Sequence, residues 1–112
     1  MNRKQEHDYV LALSTFPEEE MARKVARELI ENAFVACANI IPSVQSIYFW
    51  QGKVEEGAEV LALFKMTAAR FDDFVKKLRE LHPYELPEIV RLNIDGGLPE
   101  YLRWINESCG RK

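Results

Sequence analysis

Hydrophobic and polar positions follow two different periods along this chain, and each period predicts one type of secondary structure. Apolar residues recur every three to four positions across residues 21–30 and again across residues 71–81, which is typical of amphipathic helices that pack on one face. The second helix is expected to end at about Leu81, because the residue before Pro83 is pushed out of the helical region. A last helix is predicted to open at Leu98.

Capping signals predict where the first two helices begin. The run from Thr15 to Glu18 has the pattern of a capping box, in which the threonine hydroxyl and the glutamate satisfy the first helical amides. Pro17 would then lie in the first turn, where a missing amide costs no hydrogen bond. Thr67 is predicted to be the N-cap of the second helix.

Outside these helices, short runs predict strands of two kinds. Residues 9–13 and 60–64 are continuously apolar, as is typical of central strands covered on both faces. Residues 34–50 are predicted to form a long edge strand that bends at Pro42. A tight turn at Gln51-Gly52 would return the chain as a hairpin whose second strand pauses at Gly57.

The last predicted strand completes a recognisable order of elements. Residues 88–95 alternate, which predicts that Val90, Leu92 and Ile94 point inward from an edge strand. The resulting order βαββαβα fits an α+β ferredoxin-like sandwich with a C-terminal helix. Right-handed crossovers would give this four-stranded sheet the order 4-1-3-2.

Composition and charge narrow the class of protein. The 112 residues are 47% apolar with a net charge of −3, which fits one globular domain over residues 1–112. The absence of a basic stripe argues against a nucleic-acid partner, and no apolar run is long enough to span a membrane. Residues 1–7 are polar and expected to be disordered, without the apolar core of a signal peptide. Cys37 and Cys109 lack C-x-x-C spacing, which indicates reduced thiols and a cytoplasmic protein.

The segment 82–88 is the first candidate for a functional site. Its two prolines restrict the backbone and exclude both a helix and a central strand. It carries His82, Tyr84, Glu85 and Glu88. The alternative interpretation is a plain connector between a helix and a strand, with its polar groups solvated.

Other polar groups stand on the predicted strands. Cys37 and His82 are acceptable ligand types for copper or zinc, but a cysteine in a strand is more often part of the core. Asn39 shares a face with Cys37, so it is either a solvated edge residue or part of a satisfied polar site. Glu59 and Lys65 would be either an ion pair lining a cleft or a solvated contact.

The run Ile47-Tyr48-Phe49-Trp50 places four large apolar or aromatic residues near the tip of the predicted hairpin. A single layer of helices can cover only one face of a strand, so the other face would expose an aromatic patch that soluble monomers rarely tolerate. Burial against another subunit in a closed, symmetric oligomer is the favoured interpretation over an under-packed monomeric hairpin.

Taken together, these motifs resemble the divalent-cation tolerance family, the CutA proteins. They follow the family's order over nearly the whole chain: Ser14-Thr15 before an acidic helix start, Ala36-Cys37-Ala38-Asn39-Ile40, Tyr48-Phe49-Trp50-Gln51-Gly52-Lys53, Glu59, Phe64-Lys65-Met66-Thr67, His82-Pro83-Tyr84-Glu85-Leu86-Pro87-Glu88 and Tyr101-Leu102-Arg103-Trp104. The resemblance implies a homotrimer of ferredoxin-like subunits and a role in tolerance to copper and other divalent cations.

The resemblance also implies which residues line the clefts between subunits: Cys37, Asn39, Tyr48, Trp50, Glu59, Lys65, His82, Tyr84 and Glu88. Some family members carry a cysteine where this chain has Ser14, and others a histidine where it has Leu81. In this chain His82 is therefore left as the main nitrogen donor for a metal.

Three functional hypotheses follow. The first is a non-enzymatic, cytoplasmic homotrimer that binds divalent metal, copper among them, weakly in the clefts between subunits. The second, suggested by the similarity of such trimers to the PII signalling proteins, is a regulatory module that binds a small anion near Lys65. The third is an enzyme that uses His82 as an acid–base group beside Glu85 or Glu88.

Overall fold

The computed structural model describes residues 8–111, so the predicted disorder of residues 1–7 lies outside the described part of the chain. The elements, in chain order, are strand β1 (Tyr9–Phe16), helix α1 (Glu19–Glu31), strand β2 (Cys37–Trp50), strand β3 (Lys53–Thr67), a 3-10 turn (Ala68–Arg70), helix α2 (Phe71–Leu81), strand β4 (Val90–Ile94) and helix α3 (Pro99–Cys109). This is the predicted order βαββαβα.

The four strands form one sheet in the order β2-β3-β1-β4, and every neighbouring pair is antiparallel. The predicted ferredoxin-like α+β fold and its strand order are confirmed. The two continuously apolar strands β1 and β3 are central, and β2 and β4 lie at the edges.

The core lies on one face of this sheet, beneath α1 and α2. Alternate residues of the central strands, such as Val10, Ala12 and Phe64, are almost completely buried there. Phe64 meets Phe74 of α2 with ring centroids 5.3 Å apart, and Leu29 of α1 joins the same cluster. We call this the helix-covered face and the other side of the sheet the open face.

β2 contains a bulge that changes which of its side chains share a face. Ile41 pairs with Leu61 and Val44 pairs with Glu59, so β2 advances three residues while β3 advances two. One extra residue in a strand reverses the alternation beyond it. Odd-numbered residues of β2 therefore lie on the open face before the bulge, and even-numbered residues lie there after it. Pro42 lies within the bulge, as the predicted bend required.

The hairpin extends beyond the end of β1 as a two-stranded arm of residues 44–59. Its turn has Gln51 and Gly52 both at positive φ, 52° and 85°, which is the geometry that matches the twist of paired strands. The predicted pause at Gly57 is wrong, because Gly57 pairs with Ser46 inside a continuous β3.

Both predicted helix caps need correction. β1 runs on to Phe16, so Thr15 is a strand residue, and the N-cap of α1 is Glu18 without a side-chain cap hydrogen bond. Thr67 likewise precedes the 3-10 turn without capping it through its side chain. Pairing with β3 carries Thr15 into the sheet, opposite Leu61, and this long-range contact overrides the local capping pattern.

The prediction that the apolar side chains of β4 point into the core is also wrong for a single chain. Val90 and Leu92 pair with Leu13 and Leu11 on the open face and are 49% and 56% exposed. The register places Arg91 on the helix-covered side, where its guanidinium lies 5.1 Å from the ring of Phe71.

The same register corrects the expectation for β1. Leu11 and Leu13 are only half-buried, so the chain's own helices cover one face of this strand and not both. An apolar open face thus extends from the central strands onto β4.

Candidate functional site

A cavity of about 780 Å³ lies where β1 ends and the arm leaves the sheet. Its walls come from the end of β1, the arm and the segment 84–88: Thr15, Gln45, Ser46, Ile47, Tyr48, Trp50, Glu59, Tyr84, Glu85, Leu86, Pro87 and Glu88. The structure therefore brings five of the predicted site residues together, namely Tyr48, Trp50, Glu59, Tyr84 and Glu88. The bulge in β2 makes this possible, since it turns the even-numbered aromatic residues toward the face that carries Glu59.

A short hydrogen bond in the cavity joins Tyr84 to Glu59. The Tyr84 hydroxyl donates a hydrogen bond of 2.7 Å to Oε2 of Glu59. Burial, and then the hydrogen bond to the Glu59 carboxylate, raise the pKa of Tyr84 well above its usual range. Tyr84 is accordingly a neutral donor that holds the carboxylate of Glu59 in place.

His82 lies beneath this pair and is 8% exposed. Its Nδ1 accepts a hydrogen bond of 3.1 Å from the amide of Tyr84, and its Nε2 lies 2.9 Å from the carbonyl oxygen of Thr15. Since an amide can only donate and a carbonyl can only accept, Nε2 carries the proton in the neutral ring. The ring also stacks on Phe16 with centroids 4.4 Å apart.

Burial lowers the pKa of His82 below its usual value, against smaller raising effects from the Thr15 carbonyl and the nearby Glu59 carboxylate. The neutral imidazole is thus the form that this site favours. The histidine acts as a brace that ties the rigid segment 82–88 to the end of β1.

This arrangement bears on the predicted metal role of His82. In the neutral ring the only lone pair is on Nδ1, and the amide of Tyr84 occupies it. The role stays a prediction that requires this hydrogen bond to break. Over residues 8–111, no three His, Cys, Asp or Glu side chains gather closely enough to hold a metal ion, so one subunit alone does not fit a resident metal.

The remaining predicted residues form a second, separate group on the open face. Cys37 pairs with Lys65 across the strands, and both contact the hydroxyl of Tyr101 on α3, with Sγ at 3.7 Å and Nζ at 3.4 Å. Asn39 lies two residues after Cys37 on the same face of β2 and is exposed. This agrees with the interpretation of Asn39 as a solvated residue of an edge strand.

The proposed ion pair between Glu59 and Lys65 is absent. The two residues are six positions apart on β3, which corresponds to roughly 20 Å along a strand, and each is bonded elsewhere, to Tyr84 and to Tyr101. Both residues lie on the same face of β3 because they are an even number of positions apart. Sharing a face does not bring two side chains into contact.

Several residues of the site carry no signal in the sequence. Thr15 contributes a backbone carbonyl, which has no side-chain signature and was obscured by the capping pattern. Tyr101 belongs to a motif of the resemblance, yet nothing in its spacing connects it to Cys37, 64 positions away.

The face of the arm turned away from Glu59 is apolar and unprotected. Ile47, Phe49 and Val54 are 68%, 72% and 67% exposed. We call these three residues the arm patch. As predicted, the chain by itself leaves one face of the hairpin exposed, and Phe49 is the most exposed of these three residues.

Comparison with known proteins gives these features a context. The family model described as "CutA1 divalent ion tolerance protein" matches residues 10–108, nearly the whole chain. The chain belongs to the CutA family. A CutA relative from Thermus thermophilus, named a divalent-cation tolerance protein, is 46% identical over 100 residues, covering 89% of this chain and 97% of the relative.

Solved CutA structures have the same fold. The divalent cation tolerance protein from Thermus thermophilus superposes with a TM-score of 0.88 at 45% identity, covering 91% of this chain and 99% of that one. The CutA structure from Archaeoglobus fulgidus superposes with a TM-score of 0.87 at 31% identity, over 90% of this chain and 98% of that one. The latter is described as periplasmic, so a cytoplasmic location for the present CutA chain stays a prediction.

Within residues 8–111, none of the helices has both the length and the apolar character needed to cross a bilayer. The family model and the relative from Thermus thermophilus are named as tolerance proteins and not as enzymes.

Proposed function

We propose that this chain acts in tolerance to divalent cations as a non-enzymatic homotrimer in the cytoplasm, and that it binds divalent metal weakly in clefts between subunits. The observation that carries the proposal is the charge of the cavity. Glu59, Glu85 and Glu88 line it, and no lysine, arginine or histidine is among its lining residues. A concave site of one charge sign concentrates ions of the opposite sign.

The expectation of weak binding follows from the spread of the donors. Carboxylates are hard ligands that suit divalent cations, but no three of them converge within the described part of one chain. A cation held by one carboxylate keeps most of its water, unless a second subunit supplies further ligands. Copper would be favoured over harder cations only if His82 gave up its hydrogen bond from the Tyr84 amide and bound the metal instead. The other candidate ligand for copper, Cys37, lies outside the cavity.

Assembly is supported by apolar surface that the chain does not cover. The arm patch is more than 60% exposed at each of its three residues, and the open face adds Val90, Leu92 and Ile41 at 49%, 56% and 41%. Exposed apolar patches of this kind mark subunit interfaces. A closed trimer would also cover the edge strand β2, which otherwise offers unpaired backbone groups.

Native mass spectrometry tests assembly, and calorimetric titration with copper and zinc tests the site. The parent protein should have the mass of a trimer, and Phe49→Asp in the arm patch should release smaller species. Glu59→Gln keeps an acceptor for Tyr84 but removes the charge, so it should weaken metal binding about tenfold. Glu56→Gln is the matched control, because Glu56 lies on β3 outside the cavity.

Two results would contradict this proposal. A parent protein that stays monomeric at micromolar concentration would remove the cleft between subunits. Equal metal affinity in the Glu59→Gln and Glu56→Gln proteins would place the metal outside the cavity. In that second case, His82→Ala with and without lowered pH shows whether the imidazole is the ligand, since protonation competes with metal binding.

A second candidate function is a regulatory module that binds a small anion near Lys65. The observation that favours it is the setting of Lys65, which is half-buried and has the hydroxyl of Tyr101, not a carboxylate, as its hydrogen-bond partner. The ammonium lies 5.5 Å from the centroid of the same ring. Binding of a metabolite anion that is lost in Lys65→Met, with metal binding intact, would favour this function over the first.

A further inference from the structure

The cavity at the base of the arm is much larger than a metal site requires. Its volume is about 780 Å³, whereas a water molecule occupies about 30 Å³ in the liquid. Pockets of this size are typical of sites for small organic molecules. The volume therefore leaves room for a ligand larger than a single ion.

The lining specifies the chemistry of that ligand. Three aromatic side chains, Tyr48, Trp50 and Tyr84, share the walls with three carboxylates. Aromatic faces attract organic ammonium groups through their quadrupole, and tryptophan does so best. Metal ions gain less from such walls, because their oxygen ligands must surround them closely.

The carboxylates are also distributed in a way that suits several separate charges. Glu59 comes from β3 and is held by Tyr84, while Glu85 and Glu88 come from the segment 84–88 that also lines the cavity. In the described residues, no three acidic or other metal-ligating side chains meet at one point. A chain molecule with spaced ammonium groups can reach such carboxylates at once, and a point charge cannot.

We propose that this cavity binds a linear organic polyamine. Its ammonium groups pair with Glu59, Glu85 and Glu88, and its methylene chain lies against Trp50 and Tyr48. This inference goes beyond the proposed metal role, with which it shares only the cavity.

The chain offers a direct reporter for this ligand. It has two tryptophans, of which Trp50 lines the cavity and Trp104 lies on α3 beside Tyr101. Replacing Trp104 with phenylalanine leaves Trp50 as the single emitter. Titration of this protein with spermidine should change the emission saturably. Sodium chloride at the same ionic strength is the control for screening, and it should not reproduce the change.

Charge variants then locate the bound amine. In the Trp104→Phe background, Glu59→Gln should weaken spermidine binding about tenfold, while Glu56→Gln should leave it unchanged. Glu88→Gln is a second variant on the exposed rim, and it should weaken binding without involving the Tyr84 contact.

Three results would overturn the proposal. One is an emission that spermidine does not change, and another is an equal response to sodium chloride. The third is an equal loss of affinity in the Glu59→Gln and Glu56→Gln proteins, which would indicate only general surface attraction. None of these results bears on the trimer mass or on the copper and zinc titrations, so the two proposals fail independently.

Discussion

Replacing His82 tests whether this histidine braces the functional site. His82→Ala removes two hydrogen bonds, to the Thr15 carbonyl at 2.9 Å and from the Tyr84 amide at 3.1 Å. Each is worth about 1 kcal/mol, and the stack on Phe16 adds about 1 kcal/mol. We therefore expect a loss of about 3 kcal/mol in the free energy of unfolding.

His82→Phe separates the two contributions. A phenyl ring can keep the stack on Phe16, but it leaves the Thr15 carbonyl and the Tyr84 amide without their partner. This variant should therefore lose about 2 kcal/mol. Urea denaturation measures both, at one fixed protomer concentration because assembly adds to apparent stability.

The pH dependence gives an independent check. The folded-state pKa of His82 is lowered, chiefly by burial, so between that pKa and the unfolded value of about 6.5 the unfolded chain binds more protons. The contribution of the neutral His82 ring to the free energy of unfolding is complete above about pH 6.5 and is lost as the pH falls below that value. The groups next to the ring are Glu59 and Tyr84, and the tyrosine stays neutral throughout this range. The stability difference between the parent and His82→Phe should shrink as the pH falls from about 7.5 to about 5.5.

Two outcomes would refute this reasoning. A destabilisation by His82→Ala below about 1 kcal/mol would mean that the two hydrogen bonds and the stack are not maintained in solution. A difference between parent and His82→Phe that does not vary with pH would mean that the histidine is not buried as a neutral ring.

Further substitutions test other parts of the structure. Ser14→Ala should raise the free energy of unfolding, measured by urea denaturation, by about 1 kcal/mol, because the Ser14 hydroxyl is fully buried without a partner among the described residues. Gly52→Ala should cost about 1 kcal/mol in the same assay, since this turn residue has φ of 85°. Tyr84→Phe should cost about 1 kcal/mol through the lost bond to Glu59. Leu92→Asp on the open face should shift the proposed trimer to smaller species in sedimentation. An unchanged mass would exclude β4 from the proposed interface.

The predicted and the observed site differ because of the register of β2. Alternation alone placed Cys37 and Asn39 on one face of the long strand, and the same parity would have turned Tyr48 and Trp50 to the other. The bulge between Ile41 and Val44 brings all four to one side. Pro42 indicated a bend, but only the pairing with β3 shows that it adds a single residue.

Distances along the sheet explain why the predicted site divides into two. The alternation of side chains shows only which face of a strand a residue lies on. The end of β1 at Phe16 and the path of segment 82–88 determine which residues of β3 line the cavity. Glu59 lies just past that end and meets Tyr84, while Lys65 lies beside Tyr101. The identity of Tyr101 as a partner depends on the docking of α3, for which the sequence has no local signal.

The sequence by itself determined the order of the elements, the two central strands, the turn at Gln51-Gly52 and the end of α2 at Leu81, because each depends on periodicity or on the backbone limits of proline and glycine. The tertiary structure alone decided the start of α1, the direction of Val90 and the two bonds that occupy His82. These depend on pairing between distant segments, where the energy of the sheet outweighs local preference. The sequence thus specified which strands exist, and the packing of those strands decided which side chains meet.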